Sequence, residues 1–152
     1  MKFELASTKP EGVVLVLPLS ISRRKSSMVL WQESSDTFKL EIIDSRGQVR
    51  SSAKSSSRGI SSTWTEIELH IDRGQALLSL NGHEHGSLTL PHRARVTGPV
   101  YFGITLSTLT KIQDSRPQFS GCLRHLKLNG FSQDLWNLSS AKNLMKCTFK
   151  CV

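Results

Sequence analysis

No apolar run in the chain is long enough to cross a membrane as a helix. The longest, Val13 to Leu17, is followed by Pro18 and Leu19, and a spanning helix needs about 20 apolar residues. The run also lies behind Lys9, Pro10 and Glu11, too far in for a signal-peptide core, so a secretion signal would lie outside this stretch. Cysteine is scarce, at three residues. A chain of 152 residues buries about 70% of the surface it exposes when unfolded, so it needs neither disulfides nor metal merely to fold. Helical patterning is nearly absent. No stretch keeps apolar residues at three-four spacing over three turns with caps at both ends, and the best candidate, Leu135 to Leu144, is rich in Asn and Ser. There is no Gly-rich phosphate loop, no GxGxxG, no Ser/His/Asp order of catalytic residues and no internal repeat. Aromatic residues make up 7% of the chain. They are not interleaved with basic residues as readers of single-stranded nucleic acid require, and Trp31, Trp64 and Trp136 read as core pieces at strand ends. Acidic residues are also few: 12 against 20 basic ones, a net charge of +8 and a pI near 9.8. Such a surface attracts polyanions, whether nucleic acid, anionic lipid or sulfated glycan.

What the sequence does carry is a period of two. In Thr65 to Asp72, Ile67, Leu69 and Ile71 point one way while Glu66, Glu68, His70 and Asp72 point the other, which predicts a half-buried strand with one wet face. Ala76 to Leu80 predicts a second strand, Asn81-Gly82 a tight hairpin turn, and Ser87 to Leu90 a third strand. Phe38 to Ile42 alternates too, with Asp44 to Gly47 as its turn and Gln48 to Ser52 as its return. Val13 to Ile21, Met28 to Trp31 and Val100 to Leu106 complete the set, and the Ser/Lys/Arg-rich stretch Ser51 to Gly59 reads as a surface loop. Hydrophobic residues are 38% and charged ones 21%. Composition and pattern together predict one globular all-β domain over residues 1–152, built as a sandwich or barrel of short antiparallel strands.

Phe119-Ser120-Gly121-Cys122-Leu123-Arg124-His125-Leu126-Lys127-Leu128-Asn129-Gly130 resembles the signature near the C-terminus of laminin G-like domains: an aromatic, a Gly-Cys pair, a basic strand and an Asn-Gly turn. Trp64 to Arg73 followed by Leu78 to Gly82 resembles the central hairpin of that family. Met28 to Trp31, Phe38 to Ile42 and Val100 to Gly103 resemble its other strands in the right order. The resemblance implies a two-sheet antiparallel jelly-roll sandwich of the concanavalin/laminin G-like type. It also implies a non-catalytic binding and adhesion module, secreted and set among neighbouring modules of a larger matrix chain. Gly121 is expected where the chain bends into the last strand, and the slip in alternation between Leu123 and Leu126 predicts a bulge near Arg124 or His125.

The resemblance carries site residues with it. The family closes the Gly-Cys segment with a later cysteine; Cys147 and Cys151 both fall in that window, with Cys122 to Cys147 the favoured pair. Such a bridge closes a loop of about 25 residues, worth roughly 3 kcal/mol. Three reduced cysteines are the alternative. The family often holds one calcium ion at the sandwich rim, and Asp36 stands at the position of one ligand. The loop Leu106 to Thr110 that should supply another acid has none, Phe102-Gly103 replaces a doubled Gly, and calcium wants six or more oxygens. No cofactor is therefore expected, with calcium bridging to a receptor glycan of dystroglycan type as the alternative.

The charge favours a sulfated glycosaminoglycan of the heparin or heparan sulfate type. Its basic clusters are Arg23-Arg24-Lys25; Arg46, Arg50, Lys54 and Arg58; Arg93 and Arg95; and the tail lysines Lys142, Lys146 and Lys150. The first two clusters are the expected carriers, since loops at one sandwich end can converge from distant sequence. Cell-surface receptors are the other expected partners; nucleic acid and membrane insertion are not expected. His83-Glu84-His85 lacks a third ligand for zinc. Asn137-Leu138-Ser139 is an N-glycosylation acceptor. An enzyme acting on glycans would need two acids about 5 to 10 Å apart; Glu66 and Glu68 share a face, but it is the solvent face. A steroid-like ligand between the sheets would need an enlarged interior.

Overall fold

The computed structural model describes residues 1–56, 63–72, 74–104, 106–110, 112 and 114–134. Among the described residues there are twelve strands: β1 (Lys2–Ser7), β2 (Gly12–Ile21), β3 (Arg24–Ser34), β4 (Thr37–Asp44), β5 (Val49–Ser56), β6 (Thr65–Asp72), β7 (Gln75–Leu80), β8 (His83–Thr89), β9 (Arg95–Val96), β10 (Tyr101–Phe102), β11 (Gly121–Leu128) and β12 (Phe131–Ser132). One helical turn, α1 (Leu106–Leu109), interrupts them. The strands form two antiparallel sheets. The first runs β12-β11-β1-β6-β7-β8; the second runs β10-β2-β3-β4-β5, with β9 beside the other half of β2. The expected two-sheet sandwich is the one observed.

The alternating residues explain the core. Phe3, Leu5, Ile67, Leu69, Leu78 and Leu80 of the first sheet meet Leu15, Met28, Leu30, Phe38, Leu40 and Ile42 of the second, all fully buried. Ile71, at the end of β6, is 37% exposed because the sheet runs out there. The unbroken apolar run in β2 has a different cause. Val14 and Leu15 both face the core across a bulge opposite Trp31 and Leu30. Val13 and Val16 face outward and join Val29 and Ile43 in a second cluster, covered by Trp31, Tyr101, Leu109 and Ile112. A strand buried on both faces has no place for alternation.

The cover is the chain after β10. Among the described residues of the predicted strand Val100 to Leu106, Tyr101 and Phe102 pair with β2 as strand, and the Gly103 amide donates to the Val14 carbonyl at 2.8 Å. Gly103 then turns in the left-handed region at φ 60°, and the chain leaves the sheet to cross its outer face. Arg116 fastens this crossing: its Nη1 lies 2.7 Å from Glu41 Oε2, its Nε lies 2.9 Å from Asp114 Oδ1, and its guanidinium sits 5.4 Å above the Trp31 ring. The predicted loop Ser51 to Gly59 is also strand as far as Ser56; its residues 57–59 lie outside the described ones. It hides its periodicity because its inward residues are Ser51, Ala53 and Ser55. β8 packs against this strand, with the Gly86 Cβ position 3.5 Å from the Lys54 carbonyl and 3.6 Å from the Ala53 Cβ.

β11 pairs with β1 through the expected bulge. Lys2 faces Lys127 and Glu4 faces Arg124, so β11 carries one extra residue, and His125 takes a left-handed φ of 53° there. On this wet face Glu4 accepts from Arg124 Nε at 2.8 Å and lies 2.9 Å from His125 Nδ1, while Lys2 pairs with Glu66 at 2.8 Å. Trp64 is not a core piece: the Arg124 guanidinium lies 3.9 Å from its ring centroid, a surface stack. Gly121 is required by closeness rather than by backbone angle. A Cβ there would meet the Ala6 carbonyl at 2.3 Å and the Phe119 ring at 2.6 Å.

Gly121→Ala should lower the urea-unfolding free energy by about 1–3 kcal/mol through overpacking. Gly86→Ala, which meets only ordinary contacts, should stay within about 0.5 kcal/mol. The hydrogen bond with His125, aided by Arg124 and opposed by desolvation, holds the Glu4 carboxyl below its usual value of 4.5. A depressed carboxylate stabilises the fold fully above its unfolded value and loses that contribution as pH falls through the folded one. Wild type should therefore exceed Glu4→Gln by roughly 1 kcal/mol or less at pH 7. The two unfolding curves should converge well below pH 4.5, whereas parallel pH profiles would contradict the assignment.

Candidate functional site

Register fixes what lies at each end of the sandwich. The β2–β3 tip, Ser22-Arg23, is closed by the pair Ile21 and Arg24. Ser26 faces Asp44, which puts the β4–β5 turn at the same end. On the other side of β2, Ser20 faces Arg95. The connection into β9 starts where the Leu90 amide donates to the Gly74 carbonyl at 2.7 Å, so the β6–β7 turn ends there too. The opposite end holds the β1–β2 and β3–β4 turns.

Arg23, Arg24, Lys25, Arg46, Arg93 and Arg95 therefore share one end, and all six are exposed. Lys25, Ser20 and Arg95 form one row across three strands on the outer face of the second sheet. Strands are about 4.8 Å apart, so the Lys25 and Arg95 backbones stand about 10 Å apart. Among the described residues none of the six makes an ion pair. With five guanidinium forks and one ammonium, this end can seat a chain of sulfates or carboxylates bidentately.

The other expected carriers are placed differently. Arg50 is at the same end, but its Nε donates to Asp44 Oδ2 at 2.7 Å. The Asp44 carboxyl is held below its usual range, first by the Gln48 amide, then by the Arg46 amide and Arg50; it neutralises Arg50 and fixes the turn that presents Arg46. Lys54 faces Lys39 toward the opposite end, and both lysines bind Glu33, with Lys54 Nζ at 2.7 Å. Lys39 and then Lys54 hold Glu33 below its usual value. Arg58 and the tail lysines lie outside the described residues. Conversely, Arg93 and Arg95 join the first cluster. Nothing in their local sequence announces this, because it depends on β9 pairing with the free edge of β2.

Asp36 lies at the opposite end, in the β3–β4 turn, where its Oδ1 accepts from Ser34 Oγ at 2.9 Å and from Thr37 Oγ1 at 3.1 Å. Among the described residues no group of three or more His, Cys, Asp or Glu converges to hold a metal. One carboxylate already bonded to two hydroxyls does not fit calcium, which wants six or more oxygens with several charges among them. Cys122 is disulfide-bonded; Cys147 and Cys151 lie outside the described residues, as does Asn137.

Residues 6–131 match the family model for the laminin G domain. No curated protein matches the chain. Among solved structures, domains LG4-5 of the mouse laminin alpha1 chain superpose with a TM-score of 0.66 at 19% identity, over 93% of this chain and 37% of that one. The LG1-3 region of the laminin alpha2 chain superposes with a TM-score of 0.59 at 12% identity, over 90% of this chain and 23% of that one. The chain thus spans well under two thirds of either structure. Its two antiparallel sheets and its match over residues 6–131 agree, and the chain belongs to the laminin G domain family.

Proposed function

We propose that this chain is a non-catalytic extracellular binding module whose basic end holds a sulfated glycosaminoglycan of the heparin or heparan sulfate type. The observation that carries the reading is the gathering of Arg23, Arg24, Lys25, Arg46, Arg93 and Arg95 at one end, unpaired among the described residues. Binding there releases counterions from the polyanion and so weakens steeply with salt. Loop geometry sets specificity, and neighbouring modules of a secreted matrix chain would add multivalency. Membership of the laminin G domain family supports the binding-module role, with cell-surface receptors as further partners. A Cys122–Cys147 bridge and a glycan on Asn137 would suit the same extracellular setting.

The competing readings have less behind them. Calcium-bridged receptor-glycan binding has no cluster of acidic ligands around Asp36 among the described residues. Glycan processing would rest on Glu66, which is engaged by Lys2 on an open sheet face. A carrier role would need space between sheets that Phe3, Phe38 and Met28 fill.

Heparin-affinity chromatography in a salt gradient tests the proposal. The wild-type chain should be retained beyond physiological ionic strength, about 0.15 M. Replacing Arg24, Lys25 and Arg95 by Ala together should lower the elution salt and reduce the salt dependence by about 0.9 per lost contact. Lys54→Ala, taken from the Glu33 cluster, should elute close to wild type. Wild-type elution at or below physiological salt would refute sulfated-glycan binding.

A further inference from the structure

Three hairpins among the described strands turn through two-residue loops in which both residues have positive φ. Asn81-Gly82 has 52° and 79°, and Asn129-Gly130 has 51° and 82°. These are the residues such a turn favours, because Asn and Gly tolerate the left-handed region. The third loop, at the basic end, is Ser22-Arg23 at 49° and 67°. A second arginine there repeats the anomaly. Arg93 has φ 68° as the third residue of the turn Pro91 to Ala94, closed by the Ala94 amide on the Pro91 carbonyl at 3.0 Å. Turns of this kind ask for Gly or Asn at that position. Of the described non-glycine residues in the left-handed region, the only arginines are these two. Both are exposed, and neither makes an ion pair among the described residues that would offset the strain. Arg95, two residues after Arg93, pairs with Ser20, two residues before the Ser22-Arg23 tip, so both turns lie at the same end of the sandwich.

Strained residues at an exposed tip point to a retained side-chain role. We propose that Arg23 and Arg93 are the principal sulfate contacts of the basic end, two guanidinium forks projected from turns whose backbones favour glycine. The inference rests on the sulfated-glycan reading and deepens it: the remaining basic residues supply the attractive field, while these two fix where the sulfates sit.

The test is to give each turn the residues its backbone prefers. Ser22→Asn with Arg23→Gly converts the tip to the sequence of the other two hairpins, and Arg93→Gly relieves the second turn. Each variant should raise the melting temperature by about 2–4 °C. Each should also weaken heparin binding about tenfold and lower the salt dependence by about one contact. Lys9→Ala removes the same charge at the opposite end and should leave elution nearly unchanged. Variants that melt higher yet bind heparin like wild type would overturn the inference while leaving the glycan reading intact. Variants that melt lower would remove its premise of strain. If wild type is not retained beyond physiological salt, both readings fall together.

Discussion

The burial of β2 on both faces is the constraint on which the rest of the structure depends. Its inner face completes the core with Leu15, Leu17 and Leu19; its outer face, through Val13 and Val16, needs the chain after β10 as a cover. One edge is taken by β3 along its whole length. The other edge is divided, with β10 beside Leu15 and Val16 and β9 beside Leu19 and Ser20. That division places Arg95 in register with Lys25. The basic end is thus a consequence of how one apolar strand is covered and paired, and the hydrophobic demand of Val13 to Leu17 sets the position of charges far away in sequence.

The distribution of ion pairs then decides what the excess positive charge can do. Away from the basic end, most of the described lysines and arginines have partners: Lys2 with Glu66, Lys39 and Lys54 with Glu33, Arg116 with Glu41 and Asp114, Arg124 with Glu4. Among the described residues of the basic end, Arg50 is neutralised by Asp44. Among the described residues the unpaired positive charge is therefore not spread evenly. Exposed pairs contribute little to stability, but they cancel the local field, and the five arginines and one lysine left without them concentrate it at one end.

Much of this was legible in the sequence, and the exceptions have physical causes. β6 was readable because one face is buried and one is wet, β4 because Lys39 and Glu41 alternate with Phe38, Leu40 and Ile42 even though Glu41 and Ile43 are themselves covered, and the Asn-Gly turns because their residues match their backbone. The bulge at His125 showed as a slip in alternation. β5 was not readable, because small inward residues at the seam with β8 leave no hydrophobic signal. The shortening of the Val100 to Leu106 strand was not readable either, since an apolar segment that covers a sheet has the same composition as one that joins it. Trp64 was misread because an aromatic ring can be shielded by an arginine as well as by a core. At the site, Arg23 to Lys25 and Arg46 were identifiable by charge alone. Their convergence with Arg93 and Arg95, and the separation of Lys54, depend on register and on Glu33, which no local pattern reveals.

On the proposed reading the polyanion lies across one end of the sandwich, over the tips around Arg23, Arg46 and Arg93. Amide chemical-shift mapping by NMR during titration with a short heparin oligosaccharide tests this most directly. Perturbations should cluster at residues 22–25, 45–48 and 92–96, while Asp36 and its neighbours in the opposite end stay still. Perturbations centred on Asp36 or on the Glu33 cluster, or spread evenly over both ends, would contradict it.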